Sequence, residues 1–112
     1  MKRIIKSAAI GIVLLLASHK ALAVGEWSGI ETIYQIYSTA TNVLVRLDDV
    51  ALHKNSNNCT HASYYIMDPA SERFKEQYQL LLTALASDKR VRLWSNECLG
   101  NYPMIKYIQI FR

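Results

Sequence analysis

The segment that decides the fold is DPASERFKEQYQLLLTALAS, residues 68–87. Its apolar side chains recur at spacings of three and four residues, which places them on one face of a helix. That stripe consists of Phe74, Tyr78, Leu81, Leu82 and Leu85. Asp68 offers a side-chain acceptor to a first helical turn, and Pro69 has the fixed φ of that turn. The segment therefore predicts a helix over 69–87 that buries this stripe against a core.

Segments rich in β-branched and aromatic residues flank the predicted helix on both sides. Three such segments precede the helix, at 30–37, 43–52 and 62–67, and two follow it, at 90–94 and 105–111. Three strands, one helix and two strands in this order match the OB-fold, a five-stranded barrel whose helix lies between strands three and four. We therefore predict a mainly β, OB-fold-like domain. A plain α+β sheet covered by one helix is the alternative.

The first 23 residues have the organisation of a secretory signal peptide. They begin with three basic side chains, continue with the apolar run 8–17 and end in Ala21-Leu22-Ala23, a small-residue cleavage motif. The run is too short for a membrane span, and no later stretch approaches the ~18 apolar residues that a span needs. We expect residues 24–112 to form one domain that is periplasmic or secreted, without a membrane span.

The charge balance of residues 24–112 argues against nucleic-acid binding. The chain has 13 basic and 9 acidic residues. Four of the basic residues, and none of the acidic ones, lie within 1–23, so the predicted mature chain is formally neutral. Binding to nucleic acid requires a surplus of positive charge that displaces counterions from phosphates. We therefore expect no nucleic-acid partner.

The two cysteines, Cys59 and Cys98, are expected to form a disulfide. Export into an oxidising compartment favours the bond, and a core of this size needs a covalent staple. There are two alternatives in which the cysteines stay reduced. One is a cysteine nucleophile with His53 or His61 as its base, and the other is a metal site formed by Cys59 and both histidines. The ligand spacing matches no standard zinc pattern. We expect no metal and no cofactor.

The sequence gives little support for catalysis. It contains no nucleophile elbow, zincin helix, phosphate-binding loop or dinucleotide fingerprint. The pair Asp48-Asp49 could suggest acid and base catalysis, yet neighbouring strand residues point to opposite faces, so the two carboxylates cannot easily share a proton. We predict that the protein is not an enzyme.

The predicted strands carry apolar side chains on both faces. In the first strand, Tyr34 and Ile36 alternate with Ile33 and Tyr37. One face fills the core, and the other must be covered by the helix, a ligand or another subunit, because large exposed apolar patches are uncommon. Aromatic rings beside polar side chains also suit a sugar. These features predict a binding protein with a glycan or protein partner, and they permit a homo-oligomer.

Several segments resemble the B subunits of subtilase cytotoxin and typhoid toxin, which are small exported bacterial domains. The resemblance rests on Glu26-Trp27-Ser28-Gly29, on Ser-Gly-Ile-x-x-Ile-Tyr-Gln-Ile-Tyr at 28–37, and on scattered residues of 74–93 and 102–103. It implies a pentamer that binds sialylated glycans through a serine that follows an aromatic residue at the start of the first strand. Here that serine is Ser28, with Trp27 and Tyr34 beside it. An alternative alignment makes Ser28 a structural residue.

The function predicted from the sequence is therefore that of an exported, non-enzymatic binding module. The resemblance favours a glycan-binding role like that of a toxin B subunit, with a ligand site formed by Ser28, Trp27 and Tyr34. The alternative is a periplasmic inhibitor or protein-binding domain of the same fold that binds no sugar.

Overall fold

A computed structural model of the protein describes residues 24–112. The predicted signal peptide, residues 1–23, lies outside the described residues. Across the described part of the chain, no helix is both long and apolar enough to cross a membrane.

Residues 24–112 contain eight strands, one α-helix and one 3₁₀ turn, which spans Val50–Leu52. The strands and the helix are β1 Glu26–Trp27, β2 Glu31–Ser38, β3 Val43–Leu47, β4 Tyr65–Met67, α1 Phe74–Ala86, β5 Arg90–Ser95, β6 Cys98–Leu99, β7 Tyr102–Ile105 and β8 Tyr107–Phe111. The five predicted strands correspond to β2, β3, β4, β5 and β8. The short strands β1, β6 and β7 are additional.

The strands follow the pairing order of an OB-fold. β2 pairs antiparallel with β3, β3 pairs antiparallel with β4, and β4 pairs parallel with β7. Only Lys106 separates β7 from β8, and β8 pairs with β5, which returns to β2. The final strand is thus bent at Lys106 and connects the two halves of the mixed sheet. The predicted fold class, mainly β with one helix between the third and fourth predicted strands, is confirmed.

The main core lies between the inner faces of these strands and α1. In β5, Val91, Leu93 and Ser95 are buried, whereas Arg90 is exposed and Arg92 is partly exposed, as strand alternation requires. The buried side chains of this cluster are Ile33, Val45, Leu47, Tyr65, Met67, Leu81, Ala84, Val91, Leu93 and Ile105. A fully buried aliphatic side chain of this kind contributes about 1.5 to 3 kcal/mol.

A second, smaller apolar cluster lies on the opposite face of β3, β4 and β7. It consists of the buried side chains Leu44, Ile66 and Met104. Tyr64, Leu99 and Tyr102 pack against it. Part of the outer apolar face that the sequence predicted is therefore covered by the chain's own tyrosines and by β6.

The helix begins later than the sequence predicted. It starts at Phe74, and the residue before it, Arg73, provides no side-chain cap. The Asp68 carboxylate instead accepts a hydrogen bond from the Ala70 amide at 2.9 Å, and the Asp68 carbonyl accepts one from the Ser71 amide at 3.2 Å. Aspartate followed by proline also suits a turn, and this local bonding competes with helix formation.

The buried stripe of α1 is narrower than predicted. Leu81 and Ala84 are completely buried, and Phe74, Tyr78 and Leu85 pack against the core while partly buried. Leu82, which the sequence placed on the same face, is 41% exposed. The prediction for Leu82 is wrong because this residue lies at the edge of the apolar face of the helix, where its side chain does not contact the core cluster.

The second long strand is shorter than predicted. β3 ends at Leu47 rather than at residue 52. The Asp48 carboxylate accepts a hydrogen bond from the Thr32 hydroxyl, and the Asp49 carboxylate accepts one from the Ala51 amide and caps the 3₁₀ turn. The two aspartates therefore end the strand and begin the turn.

The predicted disulfide between Cys59 and Cys98 is confirmed, with a Cα–Cα distance of 5.7 Å. It joins the loop before β4 to β6, across 39 residues of sequence. Because the bond consumes the Cys59 sulfur, neither a cysteine nucleophile nor a thiolate metal ligand is available there. Within the described residues, no cluster of three or more His, Cys, Asp and Glu side chains could hold a metal ion.

Candidate functional site

Ser28 lies in the link between β1 and β2 and is only 5% exposed. Its hydroxyl accepts a hydrogen bond from the Leu93 amide at 2.9 Å and donates to the Gly29 carbonyl at 2.9 Å. Its own amide donates to the Leu93 carbonyl at 2.8 Å. Ser28 therefore attaches this link to β5, and the ligand role that the sequence suggested for it stays a prediction.

The structure places Trp27 and Tyr34 at opposite ends of β5. Trp27 pairs with Trp94, near the end of β5. Thr32 pairs with Arg90, the first residue of β5, and Tyr34 lies two residues beyond Thr32. Each ring is covered by a guanidinium: Arg92 lies 4.3 Å from the Trp27 ring, and Arg46 lies 5.1 Å from the Tyr34 ring. The structure therefore separates Tyr34 from Trp27 and the adjacent Ser28.

Trp27 belongs instead to a larger surface on the outer side of β1, β5 and β8. Cross-strand pairing places Trp94 opposite Tyr107 and Arg92 opposite Gln109. We call this surface the aromatic face, and its residues are Trp27, Arg92, Trp94, Tyr107, Gln109 and Phe111. Four aromatic rings with an arginine and a glutamine between them provide both apolar and hydrogen-bonding groups for a ligand.

Direct contacts hold the side chains of the aromatic face in place. The Arg92 Nε donates to the Gln109 Oε1 at 2.6 Å, and its guanidinium lies between the Trp27 ring and the Phe111 ring, which is 5.8 Å away. Guanidinium groups are attracted to aromatic ring faces. Arg92 therefore contacts both rings and Gln109.

Trp94 and Tyr107 form the other half of the aromatic face. Their ring centroids are 4.9 Å apart. The Gly25 backbone lies so close to the Trp94 indole that a Cβ at position 25 would overlap the ring. Tyr107 remains 59% exposed. The pair therefore presents an ordered ring that solvent or a ligand can reach.

A cleft of about 380 Å³ adjoins the aromatic face at Tyr107. It lies between the N-terminal half of α1 and the start of β8. Its walls are formed by Ser71, Arg73, Glu76, Gln77, Leu80, Lys106, Tyr107 and Ile108. Since Tyr107 is a wall residue of the cleft and also belongs to the aromatic face, the two features adjoin at this residue, and we treat them together as the candidate site.

Polar groups line the inner wall of the cleft. The Gln77 Nε2 donates to the Lys106 carbonyl at 3.1 Å, which joins α1 to the bend between β7 and β8. The Gln77 Oε1 is buried and has no hydrogen-bond partner among the described residues. A buried acceptor without a partner costs free energy, so this oxygen is a candidate acceptor for a ligand donor.

The charges in the cleft differ in how they are compensated. Lys106 lies 2.9 Å from the Glu97 carboxylate and 3.7 Å from that of Asp68. The hydrogen bond with Glu97 raises the pKa of the Lys106 ammonium, with a smaller contribution from Asp68, so Lys106 stays protonated at neutral pH. Among residues 24–112 the ion pairs are those of Lys106, which leaves both the Arg73 guanidinium and the Glu76 carboxylate of the cleft without one.

Sequence reasoning did not identify Tyr107, Arg73 or Gln77 as site residues. One signal was present, because the alternation Arg-Val-Arg-Leu-Trp at 90–94 already places Arg92 and Trp94 on one face. The register that sets Trp94 against Tyr107 is a pairing between distant segments, and the sequence pattern does not contain it.

Comparison with known proteins supports the fold. No family model matches the chain, and no curated protein matches it. Among solved structures, the cholera toxin-like B-subunit from Citrobacter freundii superimposes with a TM-score of 0.54 at 12% sequence identity. The match covers 87% of this chain and 92% of that chain. A specific likeness to subtilase cytotoxin or typhoid toxin subunits stays a prediction, whereas similarity to a toxin B subunit is confirmed at the level of the fold.

Proposed function

We propose that this protein is an exported, non-enzymatic binding module that recognises a glycan at the aromatic face and the adjoining cleft. The observation that carries the proposal is the exposed Tyr107, whose ring lies 4.9 Å from the Trp94 ring at an interplanar angle of 49°, and which is also a wall residue of the cleft. The fold likeness to a toxin B subunit supports a binding role. The disulfide supports export, because such bonds persist in oxidising compartments.

The chemistry of the site suits a sugar. The apolar C–H face of a pyranose ring stacks on an aromatic ring, while its hydroxyls need donors and acceptors at the side. Tyr107 would provide the stacking surface, and Gln109 and Arg92 would provide polar contacts on the aromatic face. Inside the cleft, the unpaired Arg73 would attract an acidic group on the glycan, and Gln77 would offer its amide.

Trp27 and Ser28 enter this proposal with different roles. Trp27 forms the far end of the aromatic face, where Arg92 covers it. Ser28 positions Trp27 by attaching the adjoining link to Leu93. Tyr34, at the other end of β5, would contribute only to a ligand that extends beyond the aromatic face.

We further propose that copies of the chain assemble. Large apolar side chains outside the site are exposed, and a toxin-B-subunit-like fold is consistent with an oligomer. These side chains include Ile30, Tyr34 and Leu82. Light scattering of the purified protein should give a mass that is a multiple of the chain mass, and a monomer at all concentrations would contradict assembly.

The glycan proposal is tested by array screening followed by affinity measurement. Tyr107→Ala should weaken binding by about tenfold or more, because the stacking surface is lost, whereas Tyr107→Phe should retain most of the affinity. Tyr37→Ala is the matched control, since Tyr37 is also an exposed strand tyrosine but lies outside the site. Melting temperatures of all variants should remain close to that of the wild type.

Three outcomes would count against parts of this proposal. If the wild type binds no glycan, the glycan function is wrong, and the protein-binding domain without sugar recognition becomes the better hypothesis. If Tyr37→Ala weakens binding as much as Tyr107→Ala, the ligand does not occupy the proposed site. If Tyr34→Ala alone abolishes binding, the site lies at the other end of β5.

A further inference from the structure

His53 lies in segment 48–62, which makes up most of the connection between β3 and β4. It directly follows the 3₁₀ turn, and its side chain is only 7% exposed. The neighbouring His61 belongs to the same segment but is exposed. The two histidines therefore offer an internal comparison between a buried and a solvated imidazole.

Both ring nitrogens of His53 are occupied by backbone groups. The Nε2 atom lies 3.1 Å from the Leu47 amide, which can only donate, and the Nδ1 atom lies 2.7 Å from the Ala62 carbonyl, which can only accept. These partners require a neutral imidazole with its proton on Nδ1. One ring thus connects the last residue of β3 to the end of the segment.

The surroundings of His53 disfavour a positive charge. Burial is the largest cause that lowers the pKa of His53, and Arg46 on β3 lowers it further, whereas Asp49 and the bond with the Ala62 carbonyl oppose this effect. On β4, the ring of Tyr65 packs 5.0 Å away, and burial raises the pKa of its hydroxyl. Tyr65 is therefore uncharged when histidine titrates.

Two further charged residues belong to this environment without bonding to the imidazole. The Tyr65 hydroxyl accepts a hydrogen bond from the Lys54 backbone amide at 2.9 Å, and the Glu26 carboxylate acts on Tyr65 from β1. Neither side chain supplies a hydrogen-bond acceptor for a second imidazole proton. In a protonated ring, the second proton would sit on Nε2 and point at the Leu47 amide, which is also a donor.

We propose that His53 is an acid-sensitive latch that holds segment 48–62 against β3 only while its imidazole is neutral. A proton from solvent binds the Nε2 lone pair, so the hydrogen bond from the Leu47 amide breaks and two N–H donors face each other. The Ala62 carbonyl keeps its donor. A buried amide and a buried cation are then left uncompensated, which favours release of the segment.

Release would be confined to this segment. The segment remains tethered by the Cys59–Cys98 disulfide, and Asn57 exchanges two hydrogen bonds of 2.9 Å with the Val24 backbone. The core residues of β4 and β5 do not depend on the His53 ring for their strand pairing. Acid should therefore loosen the segment before it unfolds the domain.

The direction of the pH effect follows from proton linkage. The unfolded chain titrates His53 near its ordinary pKa of 6.5, whereas the folded protein has a lower pKa. As pH falls below 6.5, His53 becomes protonated in the unfolded or released state while it remains neutral in the folded state. The equilibrium therefore shifts toward release by at most about tenfold per pH unit, until the folded pKa is reached.

The test compares His53→Gln with His61→Gln and the wild type, each with the disulfide intact. Urea unfolding between pH 7.5 and 5.0 should show a steeper loss of stability in the wild type than in His53→Gln, by up to about tenfold in the unfolding constant per pH unit. His61→Gln, the matched control, should behave like the wild type. Amide hydrogen exchange should show that Leu47 loses protection as the pH falls below 6.5.

If the stability to urea depends on pH in the same way in His53→Gln and in the wild type, the latch proposal is wrong. If His53→Gln does not fold, the wild type still decides the question through nuclear magnetic resonance of its imidazole nitrogens. A neutral His53 with its proton on Nδ1, and loss of Leu47 protection in step with protonation, would support the proposal. A proton on Nε2 at neutral pH, or constant Leu47 protection through the titration, would contradict it.

Discussion

At the scale of single residues, Ser28 shows how a small side chain can join two strands that are far apart in sequence. Its hydroxyl and its amide both bond to the backbone of Leu93, 65 residues away. The adjacent Gly29 allows the Leu52 side chain to approach, because a Cβ there would lie 2.9 Å from the Leu52 Cδ2. These contacts set where β1 and Trp27 lie relative to β5.

Ser28→Ala should lower the free energy of unfolding by about 1 to 3 kcal/mol, because the Leu93 amide would remain buried without an acceptor. Urea unfolding measures this change. Ser38→Ala is the control: its exposed hydroxyl contacts only the neighbouring Thr39 carbonyl, so its loss should change stability by under about 0.5 kcal/mol. Unchanged stability with weaker glycan binding would instead support the ligand role that the sequence suggested for Ser28.

At the scale of elements, α1 contributes to the core through a narrow stripe. Leu81 and Ala84 are one turn apart and completely buried, and Gln77 bonds to the Lys106 carbonyl at the helix start. The same helix therefore fills the core along one line and forms a wall of the candidate site along another. Leu80 and Leu82 lie outside the stripe and are exposed.

Leu81→Ala should cost about 2 to 5 kcal/mol of folding free energy, because the substitution removes buried apolar atoms and leaves a cavity. Leu82→Ala removes the same atoms from an exposed position, so it should cost less than about 1 kcal/mol. Denaturant unfolding of the two variants gives the comparison directly. Equal costs at both positions would mean that the helix does not turn Leu81 toward the core and Leu82 toward solvent.

At the scale of the whole molecule, two long-range features hold the fold together. The bend at Lys106 lets one continuous segment pair in parallel with β4 and antiparallel with β5. The Cys59–Cys98 disulfide connects the loop before β4 to β6. A domain of this size buries a limited core, so the covalent link should account for a large share of its stability.

Replacing both cysteines with serine should cost about 2 to 5 kcal/mol, because the unfolded chain would no longer be restricted by a loop of 39 residues. Thermal and urea unfolding of the double variant provide the measurement. Thiol titration of the native wild type should find no reactive cysteine. A double variant as stable as the wild type would show that the packed core suffices without the disulfide.

The sequence by itself determined the features that depend on neighbouring residues. Residues of alternating polarity predicted the strands, the spacing of Phe74, Tyr78, Leu81 and Leu85 predicted the helix and its buried face, and the order of the elements predicted the OB-like fold. The predicted export and the presence of two cysteines predicted the disulfide. These signals are the spacing of neighbouring residues and the number of cysteines, and neither depends on contacts between distant segments.

Tertiary structure decided the features that depend on register between distant segments. Tyr107 meets Trp94 only because β8 pairs with β5 at that offset, and Gln77 reaches the Lys106 carbonyl only because the final strand bends there. A shift by one residue would turn Tyr107 toward the other face of the sheet, because side chains alternate along a strand. The candidate site is therefore a product of strand register, which hydrophobic periodicity alone does not specify.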